Sequence, residues 1–456
     1  MPDGDRLDVT LPAPVAAVLA GLAEVGEEAA LVGGCVRDLL RGDTPADWDV
    51  ATSAPPEIVA ARFPGSTWQN PFGTVTVMIP GGERGIEVTT YRIEGSYRDR
   101  RRPDHVRWGR SLIDDLARRD FTMNAIAWLP PEPGEIGLLV DPFGGANDLR
   151  HGLLRAVGDP DARFVEDALR LVRAVRFATR FDLRIDPPTE TAIRRHAGLV
   201  ATLSGERLRG ELLRILTGPT PPSRAFALME QLGLLVVLVP ELAALRGVPQ
   251  AKTLPGDALD HSLRALDALP ATDPTLRLAG LLHDLGKAGT LADGHFIGHD
   301  TVGGDLAEAL LQRLRFPRSE IVRIARLVRQ HMFAYSPEWT DAAVRRFVRR
   351  VGADLLDDLF ALRAADDVAS GVTEPLKGGS AELAARAFAT VAADPLDMRQ
   401  LAVNGHILAD QLGISPGPGI GRLLSRLLEA VLEDPSLNER TALLALARDW
   451  ASTDPF

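Results

Sequence analysis

The chain has 456 residues, 45% hydrophobic and 25% charged, with 51 basic residues against 62 acidic ones and a net charge of −11. That length exceeds one compact core and predicts roughly three domains. The composition excludes a disordered or fibrous chain, and the acidic total excludes a polyanion binder whose whole surface is basic.

At the N-terminus, Asp3 and Asp5 stand where a secretory leader would need positive charge. Up to about Arg150 the pattern is that of a small α/β unit. Short β-prone runs at 29–32, 49–51, 74–79 and 86–91 alternate with helical patterns at 14–24, 35–41 and 56–63. The single cysteine, Cys35, excludes an internal disulfide and a cysteine-built zinc site. Pro130, Pro131, Pro133 and Gly134 predict a loop near the end of this unit. After Asp159 the spacing turns helical, over 164–180, 190–203 and 206–216, and Gly218-Pro219-Thr220-Pro221-Pro222 predicts a break. A further helical block over 258–368 carries five of the nine histidines, and helices from about Glu382 flank a turn at 415–419. The expected division is 1–150, 151–250, 251–375 and 376–456. Apolar runs such as 234–239 are too short to cross a bilayer. A cytoplasmic chain with no membrane partner is expected, its oligomeric state left open.

The basic set consists of Lys252, Lys287, Lys377 and 48 arginines. Arginine keeps its charge and forks onto phosphates and base edges. Residues 163–224 carry 12 arginines against 7 acids, and 311–350 carry 10 against 3, so local nucleic-acid sites remain open.

Leu31-Val32-Gly33-Gly34-Cys35-Val36-Arg37 reads as strand, glycine pair and helix. Glycines let backbone N–H groups approach a phosphate, the helix N-terminus adds its dipole, and Arg37 completes an anion site. Asp47 and Asp49, at i and i+2 on a predicted strand, present both carboxylates to one face, where they can hold the same divalent cations. Glu87 alternates with Ile86 and Val88 and is either a third carboxylate of this set or an exposed strand glutamate. Between Arg92 and Arg119 nine arginines stand against five acids, with Tyr97 and Trp108 interleaved. This reads as a basic loop facing a triphosphate or a nucleic-acid end. On a helix predicted over 164–177, Asp167 and Arg170 are neighbours on one face, followed by Arg173 and Arg176. An aspartate accepts from the amino group of cytosine or adenine while an arginine donates to the adjoining ring nitrogen; uracil and guanine present the opposite pattern. A surface salt bridge is the plainer alternative.

Gly33-Gly34-x-x-Arg37-Asp38, Asp47-x-Asp49, Arg118-Arg119-Asp120-Phe121-Thr122-x-Asn124-Ala125, Asp141-x-x-x-Gly145-x-x-Asp148-Leu149, Glu166-Asp167-x-x-Arg170 and Ser204-Gly205-Glu206-Arg207 occur in this order. The set resembles the class II tRNA nucleotidyltransferase/poly(A) polymerase family. The resemblance implies an α/β, polymerase-β-like head with a mixed sheet, followed by all-α neck and tail regions that hold the tRNA 3′ end. It implies that Asp47 and Asp49 bind catalytic Mg²⁺ and that Arg118, Asp120 and Asn124 lie near the nucleotide sugar and triphosphate. Asp167 and Arg170 would then select CTP and ATP for building the 3′ CCA end. A retained loop at Arg98–Arg110 favours an enzyme that also adds the final adenosine. A poly(A) polymerase or an A-adding enzyme of the same family is the near alternative.

His261, His283-Asp284, His299, His331 and Asp366 form a second constellation. His331 falls on the apolar stripe of Ile324, Leu327 and Val328, and Asp366 on that of Leu355, Leu359 and Leu362, where an imidazole or a carboxylate needs a partner. A divalent transition metal or Mg²⁺ suits this nitrogen and oxygen set better than a structural zinc. The set resembles the HD phosphohydrolase superfamily, which implies a metal-dependent phosphoester hydrolase as a second activity. His295 is expected in a nearby loop. A rival of another class is such a hydrolase with a head that only binds RNA.

Overall fold

In the computed structural model the described residues are 6–68, 73–78, 85–94, 106–131, 135–250, 252–415 and 417–453. By its contacts the chain divides into two compact units, residues 1–220 with 224–238, and 221–223 with 239–456. The chain passes for good into the second unit after Leu238; in the proline-rich stretch expected to break the helical pattern only residues 221–223 group with that unit.

The first unit opens with α1 (Ala13–Ala23), β1 (Ala29–Val32), α2 (Gly34–Leu40), β2 (Asp49–Thr52), α3 (Pro56–Arg62), β3 (Thr74–Val77) and β4 (Ile86–Thr90). It continues with β5 (Arg92–Glu94), β6 (Val106–Trp108), α4 (Leu112–Ala117), β7 (Ala127–Leu129), β8 (Leu138–Val140) and α5 (Gly145–Arg150). Six strands form one mixed sheet in the order β3-β4-β2-β1-β7-β8, in which β2 and β4 are parallel and the other pairs antiparallel. The central strand β1, Ala-Ala-Leu-Val, is buried along its length because both faces are covered. Ala29 and Leu31 enter the core under α1, with Val18 and Leu22, while Ala30 and Val32 enter the one formed with Tyr91, Leu112 and Leu116. This period-two alternation makes β1 a wall between two cores.

Asp49 opens β2 in register with Glu87 of β4. Asp47 lies in a bend before the strand, not on it as expected. The β1–β2 ladder ends at Leu31–Val50, because the chain beyond Val32 turns into α2, so residues before Asp49 have no strand beside them on that side. The basic residues Arg98, Arg100, Arg101 and Arg102, expected in a loop, lie outside the described residues.

The helical part of this unit holds β9 (Leu153–Leu154), α6 (Pro160–Glu166), α7 (Leu169–Phe181), β10 (Arg184–Ile185), α8 (Pro187–His196), α9 (Gly205–Leu216), α10 (Ser223–Gln231) and α11 (Leu235–Leu238). The single helix expected over 164–180 is thus two helices. Asp167 between them is extended (φ −145°, ψ 101°), and its carboxylate accepts the Leu169 N–H at 3.0 Å. An aspartate that bonds the backbone locally offers it an alternative to the helical ladder, so Asp167 and Arg170 do not share a helix face. The helix expected over 190–203 ends at His196 and continues as a 3-10 turn.

In the second unit α12 (Pro240–Ala243), α13 (Ala258–Asp267), α14 (Pro274–Leu282), α15 (Lys287–Thr290), α16 (His299–Arg313), α17 (Arg318–Gln330), α18 (Asp341–Val351) and α19 (Leu356–Ala369) follow one another. They are succeeded by α20 (Gly379–Ala393), α21 (Gly405–Leu412), α22 (Pro418–Glu433) and α23 (Arg440–Thr453). The predicted helical block is interrupted by a hairpin, β11 (Leu291–Ala292) with β12 (His295–Phe296), closed through Asp293 and Gly294, both at positive φ. The last helices enclose a core of their own, including Leu408, Leu427, Val431 and Leu443. Among the described residues no helix is long and apolar enough to cross a membrane.

Helices α7 and α9 are joined through Glu211, which is 1% exposed. Its carboxylate accepts from Arg176 at 2.6 Å and Arg214 at 3.0 Å. Glu211→Ala leaves the buried Arg176 guanidinium unpaired and is expected to destabilise this unit by about 3 kcal/mol, read as a lowered denaturation midpoint at unchanged m-value.

Candidate functional site

A cavity of about 750 Å³ in the first unit is lined by Gly33, Gly34, Arg37, Asp47, Asp49, Glu87, Arg118, Asp120, Asn124, Asp167, Arg170, Arg173 and Arg176. Each residue expected in the head site therefore reaches one space.

Gly33 precedes α2 with φ +72°, which side chains rarely tolerate, and a Cβ there would lie 2.6 Å from the Arg119 guanidinium. Asp49, half-buried, and the exposed Asp47 and Glu87 share the neighbouring wall. Burial raises the Asp49 pKa; Arg119 opposes this, and the Glu87 and Asp47 charges add to it. These carboxylates line one cavity wall and offer the oxygen ligands that a hard divalent cation takes, whereas among the described residues the groups of three with ligand atoms within 4.8 Å of one another lie in the second unit.

Asp120 is the hub of the polar floor. It is buried, and Oδ1 accepts from the Phe121 N–H at 2.8 Å and from Asn124 at 3.0 Å. Oδ2 accepts from Arg173 at 2.7 Å. Asn124 in turn accepts from Arg37 at 2.7 Å. Burial alone would raise the Asp120 pKa, but Arg173, Asn124 and the Phe121 N–H hold it below the ordinary value. Arg37 also stacks on Phe181 (4.4 Å), and Arg176 on Phe177 (4.1 Å). Asp115, completely buried in α4, anchors Arg118 at 2.7 Å and Arg119 at 3.2 Å.

Arg170 pairs with Glu166 rather than with Asp167. Its Nη1 donates to Glu166 (2.8 Å) and the Arg163 carbonyl (3.0 Å), and Nη2 donates to the Arg118 carbonyl (2.9 Å). Nε–H and one Nη2–H remain. Asp167 instead accepts from Arg207 of α9, at 2.9 Å on Oδ1 and 2.7 Å on Oδ2. Both acid and base face the cavity, but from separate elements rather than as one helical pair.

In the second unit His261, His283, Asp284, His299, His331 and Asp366 converge. His261 Nε2 lies 3.2 Å from His283 Nε2 and 3.0 Å from Asp366. Asp284 Oδ2 lies 3.2 Å from His283, and Oδ1 lies 3.4 Å from His299 and 3.7 Å from His331. His283, His299 and His331 each direct Nδ1 to a backbone carbonyl, of Gly280, Phe296 and Val328, at 2.7–2.8 Å. A carbonyl only accepts, so Nδ1 carries a proton and each Nε2 points toward the cluster. His299 Nε2 is buried without a hydrogen bond. Burial lowers His331 to about 4; Asp284, although burial opposes it, lies well below the ordinary carboxylate range, and Lys287 Nζ donates to its Oδ2 at 2.6 Å. Imidazole nitrogens and carboxylate oxygens that lie within 4.8 Å of one another, in the groups His261, His283, Asp366 and His283, Asp284, His331, fit a divalent metal. His295 is exposed in the hairpin.

Known proteins bear on both units. The poly(A) polymerase head-domain model matches 29–155, an RNA- and SrmB-binding model of polymerase A matches 182–245, and a tRNA nucleotidyltransferase domain 2 model matches 301–447. An A-adding tRNA nucleotidyltransferase of Deinococcus radiodurans is 37% identical over 88% of this chain and 91% of its own length. A CCA-adding enzyme of Lactiplantibacillus plantarum is 33% identical over 94% of each chain. The chain belongs to the tRNA nucleotidyltransferase/poly(A) polymerase family. The crystal structure of the Bacillus stearothermophilus CCA-adding enzyme in complex with CTP matches with a TM-score of 0.69 at 29% identity, covering 97% of this chain and 99% of that one. The family's polymerase-β-like head is the six-stranded mixed sheet, and the remainder is mainly helical.

Sequence reasoning passed over Arg207 as a site residue, although it stands in a quoted motif, because its partner Asp167 was placed on a helix. Gln250 and Lys252 were also missed: Gln250 donates to Asp284 at 3.5 Å, and Lys252 donates to Asp366 at 3.5 Å. Both come from an irregular segment with no periodicity to flag them.

Because the folded Asp120 pKa is depressed, its stabilising contribution is fully present above the unfolded value, about 3.9, and is lost as pH falls through the folded one. Asp120→Asn is therefore expected to be destabilised relative to the parent at pH 7, with the gap narrowing below about pH 4, measured by parallel denaturant titrations across that range.

Proposed function

We propose that the protein is a template-independent tRNA nucleotidyltransferase that builds or repairs the tRNA 3′ CCA end from CTP and ATP, acting in the cytoplasm. The observation that carries the reading is that the acidic trio, the glycine turn and the Asp167/Arg170 pair line one cavity. The tRNA 3′-hydroxyl oxygen bonds to the α-phosphorus of the incoming nucleotide, the bond to the β-phosphate oxygen breaks, and pyrophosphate leaves with the hydroxyl proton passing to solvent. Asp47 and Asp49, with Glu87 beside them, would hold Mg²⁺, which lowers the pKa of a hydroxyl and neutralises phosphate charge when bound. The Gly33 and Gly34 backbone and Arg37 face the phosphates. Arg118, Asp120 and Asn124 shape the floor under the sugar and triphosphate, and Arg173 and Arg176 add positive charge beside it. Asp167 accepts from the exocyclic amino group of cytosine or adenine, and the free N–H groups of Arg170 donate to the ring nitrogen.

The division into head (1–150), neck (151–250), HD region (251–375) and tail (376–456) belongs to this reading, with the helical parts gripping the tRNA end. The histidine cluster is proposed as an HD-type metal site, binding a divalent transition metal or Mg²⁺ and hydrolysing phosphoesters. His261, His283, Asp284, His299, His331 and Asp366 are its ligands.

The test supplies CTP and ATP together to the full chain with tRNA transcripts ending before CCA, after C and after CC. Extension of all three through CCA is expected, and failure on all three contradicts the proposal. Because the Deinococcus relative is named an A-adding enzyme, extension of the CC transcript alone would assign this chain that narrower activity. Asp49→Ala is expected to lower addition by roughly 10³-fold or more without changing the melting temperature. His283→Ala is expected to abolish metal-dependent phosphoester hydrolysis while addition survives; unaffected hydrolysis would contradict the HD assignment.

A further inference from the structure

We propose that Lys252 is a phosphate-binding residue at the mouth of the histidine cluster, so that the cluster takes an anionic phosphoester. This rests on the reading of the cluster as a metal site.

Side-chain exposure shows where the cluster opens. His261, His283, Asp284 and His331 are 0–3% exposed, His299 is 8%, Asp366 is 13% and Lys252 is 30%. Solvent therefore meets the cluster most openly beside Asp366, and Lys252 stands there with Nζ 3.5 Å from Asp366 Oδ1. A ligand that approaches the imidazole nitrogens from that side passes the ammonium.

Two lysines reach the cluster, and they are used differently. Lys287 is buried, and its Nζ donates to Asp284 at 2.6 Å and to Gln250 at 3.1 Å. Among the described residues Lys252 donates to Asp366 alone, over a longer distance. An ammonium carries three N–H donors, so two remain for an anion. The chain has 48 arginines and three lysines, yet both cations at this cluster are lysines. Lysine places a compact charge on a flexible stem, whereas a guanidinium is a broad planar fork. A site whose ligands are nearly all buried suits the compact group.

The segment that carries Lys252 is held on both sides of it. Gln250 accepts from Lys287, and the Pro255 carbonyl accepts from Arg264 of α13 at 3.0 Å. Thr253 and Leu254 lie against Gly371, at φ +86°, where a Cβ would stand 3.0 Å from Leu254 and 3.2 Å from Thr253. The segment is thus packed onto the turn after α19, the helix that carries Asp366.

A carboxylate that ligates a divalent cation has less charge to offer Lys252, and the cation repels the ammonium beside it. An anion held by both removes that repulsion, and a phosphate group has oxygens enough for both. A neutral ligand does not.

The test uses the full chain carrying Asp49→Ala, which removes a metal-holding carboxylate from the head. Mn²⁺ binding is measured by calorimetry. Inorganic phosphate binding is measured by the Mn²⁺-dependent broadening of its ³¹P resonance, with His283→Ala as the blank for this cluster. Lys252→Gln is expected to weaken the His283-dependent phosphate binding about tenfold or more, with Mn²⁺ affinity changed by less than about threefold. Lys252→Arg keeps the charge and is expected to retain more phosphate affinity than Lys252→Gln. Unchanged phosphate affinity in Lys252→Gln overturns the proposal. So does an equal loss of Mn²⁺ affinity, which would assign Lys252 to building the metal site. If Mn²⁺ binds but no His283-dependent broadening occurs, the proposal falls and the metal reading stands. Mn²⁺ binding unaffected by His283→Ala overturns the metal reading, and this proposal with it.

Discussion

Asp120 is a buried charge, and the arrangement around the cavity follows from how it is satisfied. A buried carboxylate persists only when paired and hydrogen-bonded. Here the partners come from three places: the backbone at Phe121, Asn124 one 3-10 turn on, and Arg173 of α7. Asn124 passes the connection to Arg37 of α2, and Arg173 lies beside Arg176, whose guanidinium is held by Glu211 of α9. One chain of alternating polarity thus ties the helix after the glycine turn to the helices that carry Arg170 and Arg207. It also spaces the arginines of the cavity so that they do not simply repel one another.

This explains how an acidic protein carries a strongly cationic cavity. The net charge is −11, yet the cavity wall holds Arg37, Arg92, Arg118, Arg119, Arg170, Arg173, Arg176, Arg180, Arg207 and Arg214. Several of these are anchored by buried acids such as Asp115, Asp120 and Glu211, which fixes their direction at the cost of part of their charge. The opposite sign is concentrated at Asp47, Asp49 and Glu87. A nucleoside triphosphate with its divalent cation is complementary to such a divided surface, whereas an extended polyanion is not.

Much of this was legible in the sequence. The β-prone runs at 29–32, 49–51, 74–79 and 86–91, set off by turn residues, correspond to the strands at 29–32, 49–52, 74–77 and 86–90, and His331 and Asp366 stand out as polar residues on apolar helical stripes. Two features were hidden for physical reasons. Helical spacing across 164–180 is continuous, and only the local bond from Asp167 to Leu169 N–H, a competition that periodicity does not encode, breaks it in two. The partner of Asp167 is 40 residues away on α9, and long-range pairing of an arginine with an aspartate leaves no periodic trace. The bend that places Asp47 before β2 depends on where β1 turns into α2, a property of the neighbouring strand rather than of the Asp-x-Asp itself.

The central claim is that side chains of the protein, not a nucleic-acid template, read the incoming base. It is tested most directly by equilibrium binding of CTP, ATP, UTP and GTP to the full chain with Mg²⁺ and without tRNA, where no primer is available for reaction. CTP and ATP are predicted to bind about tenfold or more tightly than UTP and GTP. Equal affinity for all four nucleotides would contradict the account.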